Sequence, residues 1–108
     1  MSLSTHVLDA SRGTPAEGVA VFLEHRVGDE WHELATGHTD ADGRVRDLGS
    51  PDPGVHRLRF DTGGYFAGRG VATFYPEVTV CFQVVDAADH HHVPLLLSPF
   101  AYSTYRGS

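Results

Sequence analysis

Lysine is absent from this chain of 108 residues, so all eight basic side chains are arginines. Without lysine the protein cannot form a Schiff base through a lysine amine. Fourteen acidic residues give a formal net charge of −6 at pH 7, and this balance argues against a general binder of phosphate backbones. Arginine is therefore the only permanently charged cation that a functional site in this chain can use.

Cysteine and long apolar runs are also scarce. Cys81 is the single cysteine, so no intrachain disulfide can form, which is typical of a reducing compartment. No apolar run is long enough to cross a membrane as a helix, and residues 1–6 lack the basic and apolar regions of a signal peptide. We expect a cytoplasmic protein in which Cys81 is a packed or half-buried thiol without a catalytic role.

The remaining composition indicates one all-β domain over residues 1–108. Turn-forming clusters recur at short intervals, and the runs between them alternate apolar with polar residues, as half-buried strands do. Val19, Val21 and Leu23, for example, share one face. This pattern predicts an antiparallel β-sandwich of roughly seven to eight strands, with one short helix near Thr62–Arg69.

Two segments have some features of metal sites. His90 and His92 share one face of a predicted strand, and such a pair with a third distant histidine can hold zinc. No Glu-x-x-His or Cys-x-x-Cys spacing supports that interpretation. Asp40–Gly43 begins like a calcium loop, but Arg44 stands where a third oxygen ligand belongs. We expect no metal site, and we expect Asp40–Gly43 to be a turn.

Histidine is abundant, with eight copies. His6 alternates with Leu8 on the predicted first strand, so it points to an apolar or interfacial surface. His91 is predicted to face the opposite way from His90 and His92. The other four are expected on outer faces or in turns, without a role; they are His25, His32, His38 and His56.

Five segments together are more specific than any of these features. They are Thr5–Asp9, Gly13–Ala16, Thr39–Arg44, His92–Pro99 and Tyr105–Ser108. In this order and spacing they resemble the transthyretin family, and within it the branch that hydrolyses 5-hydroxyisourate. The Tyr-Arg-Gly-Ser sequence at the end is the most discriminating, because the hormone-carrying transthyretins do not share it.

The resemblance implies a transthyretin-like β-sandwich that assembles as a homotetramer, with sites in a channel between subunits. It implies that the ring of 5-hydroxyisourate is opened by hydrolysis, during conversion of urate to allantoin, without a metal or organic cofactor. The implied partners are this small molecule and other copies of the chain, not nucleic acid or a membrane. His91 departs from the family, where many relatives carry an aromatic residue. The family's functional positions match His6, Arg44, His92, Tyr105, Arg106, Gly107 and Ser108.

These residue types suit the implied reaction. Hydrolysis of a cyclic amide needs an activated water, stabilisation of negative charge on the carbonyl oxygen, and a proton for the leaving nitrogen. Histidine titrates at about pH 6.5, so His6 and His92 can divide the proton transfers, although the sequence leaves open which of them is the base. The planar fork of Arg44 can stabilise the oxyanion. Ser108 would bring a carboxylate and a hydroxyl that orient a histidine, and Tyr105, Arg106 and Gly107 would contact the substrate.

Two other functions remain open at this point. A carrier of the same fold would hold a small aromatic ligand in the channel without catalysis, and it would need a more apolar channel. A zinc-dependent hydrolase would use His90 and His92 as ligands. The pair of histidines and the polar end of the chain favour the metal-free hydrolase over the carrier.

Overall fold

The computed structural model describes residues 2–108, which form two β-sheets and one short helix. Sheet A contains β1, β2, β5, β8 and β9, and sheet B contains β3, β4, β6 and β7. The strands are β1 (Leu3–Asp9), β2 (Thr14–Pro15), β3 (Ala20–Val27), β4 (Glu30–His38), β5 (Arg44–Val45), β6 (Gly54–Phe60), β7 (Val78–Val84), β8 (His91–Ser98) and β9 (Ala101–Thr104). Two of them, β2 and β5, have two residues each, and the seven longer strands confirm the predicted β-sandwich.

Strand pairing is antiparallel with one exception. β1 and β8 lie side by side in sheet A and run parallel, with Ser4 opposite His92 and His6 opposite Pro94. These two strands come from opposite ends of the chain, so no hairpin joins them and the connection passes through the whole of sheet B. The parallel pair therefore brings the start and the end of the sequence together in the middle of one sheet.

The core follows the predicted alternation. Val19 and Val21 are fully buried and Leu23 is 1% exposed, which confirms the face assigned to them. Leu58 and Phe60 of β6 lie beside β3 and are fully buried as well. Burial of such aliphatic and aromatic side chains supplies the main stabilisation of a domain of this size.

The helix α1 (Thr62–Ala67) confirms the single short helix. Its N-cap residue, Asp61, accepts a hydrogen bond from the Gly64 amide at 2.9 Å, which satisfies one of the free amides of the first turn. The Tyr65 hydroxyl donates to Asp9 Oδ2 at 2.7 Å and ties the helix to β1. Among residues 2–108 no helix is long and apolar enough to span a membrane.

Three expectations about single residues are wrong. His25 was expected on an outer face, but it is half-buried and shares the inward face of its register partner His56. His56 is fully buried rather than on an outer face, because its position on β6 has the same parity as Leu58 and Phe60 and so points into the core. Cys81 is exposed, because its neighbours Val80 and Phe82 take the inward positions of β7. His32 and His38 are exposed, as expected.

Candidate active site

The outer face of sheet A collects polar side chains from three strands. Ser4 and His6 lie on β1, where they alternate with fully buried Leu3, Thr5 and Val7. The strand β8 has the same alternation, so His92 faces outward, whereas His91 is 7% exposed and faces the core. Arg44 on β5 is the register partner of His6. Three of the predicted site residues therefore meet on one face.

A tight turn places Arg44 beside β1. The Asp40 carboxylate accepts hydrogen bonds from the amides of Asp42 at 2.9 Å and Arg44 at 3.0 Å, and the Arg44 amide is the main reason that the pKa of Asp40 is lowered. Gly43 has a φ of +76°, and a Cβ there would overlap the backbone oxygen of Val7. The segment is the predicted turn, and its carboxylate organises the backbone.

The hydrogen bond of His6 determines which of its ring nitrogens carries a hydrogen. Its Nε2 lies 2.9 Å from the backbone oxygen of Asp42. Because a carbonyl oxygen only accepts, Nε2 carries the hydrogen and donates it. In the neutral ring the lone pair then lies on Nδ1, which is the nitrogen available to take a proton.

The surroundings of His92 favour its neutral form. Burial lowers its pKa, and the charges of Arg44, His6 and His90 lower it further, against a hydrogen bond with the Ser4 backbone that raises it. The charges of Arg44 and His6 both lower the pKa of His92, so the three side chains lie close enough to interact electrostatically. The Nδ1 atom of His92 lies 2.8 Å from the Ser4 hydroxyl.

The guanidinium of Arg44 is available for an anionic or electron-rich ligand. Other arginines are paired with carboxylates: Arg46 lies 3.3 Å from Asp42 and Arg57 lies 2.6 Å from Glu24. Within residues 2–108, Arg44 has no carboxylate within ion-pair distance. Its fork of donors is thus not occupied by a side chain of the described chain.

The end of the chain is bound to β8. The Gly107 amide donates to the His92 carbonyl at 2.9 Å, forming an isolated bridge between the two residues. A Cβ at position 107 would overlap the His92 ring at Cδ2 and lie 3.1 Å from Cγ, so only glycine fits against this face of the imidazole. Ser108 is exposed and makes no hydrogen bond to the described residues.

The predicted site residues line two separate concavities. A depression of about 490 Å³ on the outer face of sheet A is lined by His6 and Arg44, among others. A cavity of about 330 Å³ beside β7 is lined by Tyr105, Arg106 and His92, among others. Within this single chain, His92 is the residue that connects the two groups, because it lines the second cavity and is electrostatically coupled to the first.

The sequence reasoning assigned no role to Ser4 or to the Asp42 carbonyl, and it considered His90 only as a possible zinc ligand. Ser4 contacts His92, Asp42 supplies the carbonyl that holds His6, and His90 contacts Ser4 with its Nε2 at 3.3 Å. The parity of Ser4 with His6 on β1 was an available signal. Among residues 2–108 no group of three or more histidine, cysteine or acidic residues is arranged to hold a metal ion.

Fold and site together define a small β-sandwich protein with a histidine–arginine site on the outer face of one sheet. The chain belongs to the HIUase/Transthyretin family, whose family model matches residues 3–107. Among curated relatives, "5-hydroxyisourate hydrolase" of Salmonella dublin is 49% identical over 109 residues, covering 98% of this chain and 80% of that protein. The protein of the same name from Mus musculus is 45% identical over 111 residues, covering 98% of this chain and 94% of the relative.

Solved structures confirm the predicted transthyretin-like fold. A 5-hydroxyisourate hydrolase from Klebsiella pneumoniae superposes with a TM-score of 0.89 at 39% identity, over 100% of both chains. Sea bream transthyretin in complex with thyroxine superposes with a TM-score of 0.93 at 36% identity, over 99% of this chain and 95% of that one. Backbone similarity therefore does not separate the hydrolase from the hormone binder, and the side chains of the site must do so.

Proposed function

We propose that this protein is a hydrolase that opens the six-membered ring of 5-hydroxyisourate in urate degradation, giving 2-oxo-4-hydroxy-4-carboxy-5-ureidoimidazoline. The observation that carries the proposal is the meeting of His6, Arg44 and His92 on the outer face of sheet A. Curated relatives at 43–49% identity that are named 5-hydroxyisourate hydrolase support it.

His6 is the proposed general base. Its Nε2 hydrogen is committed to the Asp42 carbonyl, so Nδ1 receives the proton of a water molecule while the water oxygen attacks the ring carbonyl carbon. The fixed hydrogen bond also orients the ring, so that the base does not need to be positioned during the reaction.

Arg44 is the proposed oxyanion stabiliser. Attack of water places negative charge on the former carbonyl oxygen, and a guanidinium without a carboxylate partner can donate hydrogen bonds to it. The same side chain makes the site locally positive in a chain whose formal net charge is −6. Field focusing in a concave site allows this local charge to attract an electron-rich substrate.

His92 is the proposed proton donor to the leaving ring nitrogen as the carbon–nitrogen bond breaks. Its lowered pKa favours the neutral ring, so the proposed donor is the N–H of the neutral ring, which becomes a transient imidazolate when the proton leaves. Transfer of the proton from His6 Nδ1 back to His92 through solvent completes the cycle without a cofactor.

The last residues of the chain are proposed to line one side of the substrate site. Tyr105 and Arg106 line the cavity that includes His92, and Gly107 packs against the His92 ring. We propose that Tyr105, Arg106 and Gly107 contact the substrate and that Ser108 orients a histidine. The assignment of Ser108 stays a prediction; a Ser108→Ala variant that keeps the wild-type turnover number and KM would contradict a role for its hydroxyl.

The proposed reaction has a direct assay. Urate oxidase generates 5-hydroxyisourate from urate, and the decay of its absorbance is followed with and without this protein. We expect decay well above the spontaneous rate, unchanged after dialysis against a chelator. Decay at the spontaneous rate would reject the hydrolase, and loss of activity on chelation would favour the zinc-dependent alternative.

A carrier function is the second candidate, because the sea bream structure with the TM-score of 0.93 is described in complex with thyroxine. A carrier would bind a small aromatic ligand and leave the decay of 5-hydroxyisourate at its spontaneous rate. The titratable residues of the depression disfavour this function, since half-exposed histidine and arginine side chains are poor partners for an apolar ligand.

We also propose that residues 1–108 form one domain that acts as a cytoplasmic homotetramer with sites at the subunit interface. The partly exposed apolar side chains Leu8 and Leu96 beside the site support an interface on the outer face of sheet A. The exposed free thiol of Cys81 suits a reducing compartment. Light scattering checks the assembly: a tetramer is expected, and a monomer at micromolar concentration would contradict it.

A further inference from the structure

The Ser4 hydroxyl lies between two histidine rings. Its Oγ atom is 2.8 Å from His92 Nδ1 and 3.3 Å from His90 Nε2. Ser4 is 8% exposed and His90 is exposed, so the three side chains form a short chain of contacts from solvent to the site. Neither Ser4 nor His90 contributes to the core, since Ser4 projects from the outer face of sheet A and His90 is an exposed residue that directly precedes β8.

The fold explains why this contact is specific. Ser4 is the register partner of His92 in the parallel β1–β8 pair, so its hydroxyl is fixed relative to the His92 backbone. The rings of His90 and His92 are stacked, with centroids 6.4 Å apart and planes 15° from parallel. The two rings reach the same hydroxyl because they lie one strand repeat apart on one face.

The single hydroxyl hydrogen of Ser4 and the two distances together assign a direction to each hydrogen bond. Serine has one hydroxyl hydrogen, so it can donate to only one of the two nitrogens and must accept from the other. The shorter separation, to His92, suits a hydroxyl donor, and the longer one suits a ring N–H that donates to the hydroxyl. His90 Nε2–H then donates to Ser4, and Ser4 donates to His92 Nδ1. A neutral His92 in this arrangement carries its hydrogen on Nε2.

We propose that Ser4 and His90 are positioning residues that hold His92 as its Nε2–H tautomer, with that hydrogen directed to the substrate. This inference rests on the proposed function and deepens it, because it explains why His92 donates a proton while His6, held in its own Nε2–H form by Asp42, presents a basic Nδ1. His6 would present its unprotonated Nδ1 to the reaction and His92 its Nε2–H. Two histidines in the same tautomeric form can therefore take different parts in the proton transfers.

Nitrogen NMR of the ligand-free protein tests the tautomer independently of activity. With ¹⁵N-labelled histidine at pH 7.5, we expect His92 to show a protonated Nε2 and an unprotonated Nδ1. In Ser4→Ala this pattern is expected to become a mixture of the two tautomers, and Ser4→Thr is expected to keep it. A wild-type His92 protonated on Nδ1 would overturn the inference.

Kinetics test the consequence for the reaction. We expect Ser4→Ala and His90→Leu to lower kcat by about 10-fold or more with KM within about 2-fold, and Ser4→Thr and His90→Gln to restore most of it, because threonine keeps the hydroxyl and glutamine keeps an N–H donor. His38→Leu, a change of an exposed histidine outside the site, is the matched control for His90→Leu. Equal kcat for Ser4→Ala and the wild type would overturn the inference.

The two proposals fail in different ways. If the wild-type protein does not accelerate decay of 5-hydroxyisourate, the proposed function fails whatever the NMR result. If the wild type is active but Ser4→Ala and His90→Leu retain full kcat, only the positioning role fails. Because His90 is exposed, His90→Leu tests the role even if Ser4→Ala does not fold.

Discussion

At the scale of the residue, the candidate site contains two histidines, His6 and His92, whose surroundings differ. His6 is oriented by a backbone carbonyl, whereas His92 is oriented by a side-chain hydroxyl and has its pKa lowered by burial, Arg44, His6 and His90. A lowered pKa means that, at a given pH, a smaller fraction of His92 is protonated than of a histidine with the usual pKa of about 6.5. In the proposed reaction Arg44 therefore has two effects, one on the substrate and one on the pKa of His92.

The first prediction concerns the titration of His92. Histidine NMR should give a pKa for His92 below about 6.5, and in Arg44→Gln this pKa should rise, because a positive neighbour that disfavours the imidazolium is removed. Arg46→Gln is the matched control, since Arg46 lies on the same face but is paired with Asp42. A His92 pKa that is equal in the wild type and Arg44→Gln would contradict the electrostatic coupling.

The second prediction separates the charge of Arg44 from its shape. Arg44→Lys keeps the positive charge but loses the planar fork of donors, so kcat should fall by about 10²-fold, while thermal stability is unchanged. The measurement is kcat from initial rates of 5-hydroxyisourate decay. Full turnover by Arg44→Lys would show that charge alone is sufficient.

At the scale of the element, the site depends on β8 and the segments that pair with it. β1 contacts β8 along its length, and Gly107 extends the pairing on the other side through its bond to the His92 carbonyl. The His92 ring is enclosed between these segments. Movement of the chain end is therefore expected to affect the site more than the core.

The third prediction follows from this packing. In Gly107→Ala the new Cβ would overlap the His92 ring, so the ring or the end of the chain must shift, and kcat should fall by about 10-fold or more without loss of the folded state. Gly68→Ala is the matched control, since a Cβ there meets neighbours only at 3.5 Å and 3.6 Å. Circular dichroism checks the fold, and a Gly107→Ala variant with wild-type kcat would disprove the packing argument.

Alternation along strands made much of the fold predictable from sequence. It assigned His91 and His92 to opposite faces of β8, and burial confirms this, with His91 on the core face and His92 on the outer face. The same rule places His56 in the core with Leu58 and Phe60, but histidine was assumed to prefer the surface, and the assumption outweighed the pattern. Periodicity locates a face more reliably than residue type does when a buried polar group has hydrogen-bond partners.

The pairing of distant strands could not be predicted from local patterns. Periodicity gives the face of a strand but not its neighbour, so the contact of Ser4 with His92 depends on a register that no short segment encodes. The family resemblance predicted His6, Arg44 and His92 as site residues, but the hydrogen bonds that orient the two histidines emerge only from the folded structure.

At the scale of the whole molecule, a contact between buried His56 and half-buried His25 is expected to make stability depend on pH. His56 Nδ1–H donates to the Gly54 carbonyl, 3.2 Å away, so the neutral ring accepts at Nε2 from His25 Nδ1, 3.1 Å away. An added proton on His56 would set two N–H groups against each other. Burial, the largest cause, and the charges of His25 and His91 accordingly lower its pKa, against the Gly54 hydrogen bond and the charge of Asp52.

The fourth prediction gives the sign of this effect. The pKa of His56 is lower in the folded than in the unfolded state, so below about pH 6.5 the unfolded chain binds more protons. The contribution of His56 to the free energy of unfolding should be fully present above about pH 6.5. It should decrease as the pH drops, by at most about 1.4 kcal/mol per pH unit.

Urea denaturation at pH 7.5 and pH 5.5 measures that fall. His56→Phe, which suits the adjacent Phe82 ring and removes the titrating group, should reduce the loss of stability at pH 5.5, whereas His38→Phe at an exposed position should not. Equal losses in His56→Phe and the wild type would assign the acid sensitivity to other groups.

The central claim is that the outer face of sheet A hydrolyses 5-hydroxyisourate with His6 as the base. The most direct measurement is the rate of 5-hydroxyisourate decay with wild type and with His6→Gln, whose side-chain amide can still donate to the Asp42 carbonyl but cannot take a proton. We predict a wild-type rate far above the spontaneous one and a kcat lower by about 10²-fold or more in a folded His6→Gln. Spontaneous decay with the wild type, or full turnover by His6→Gln, would contradict the claim.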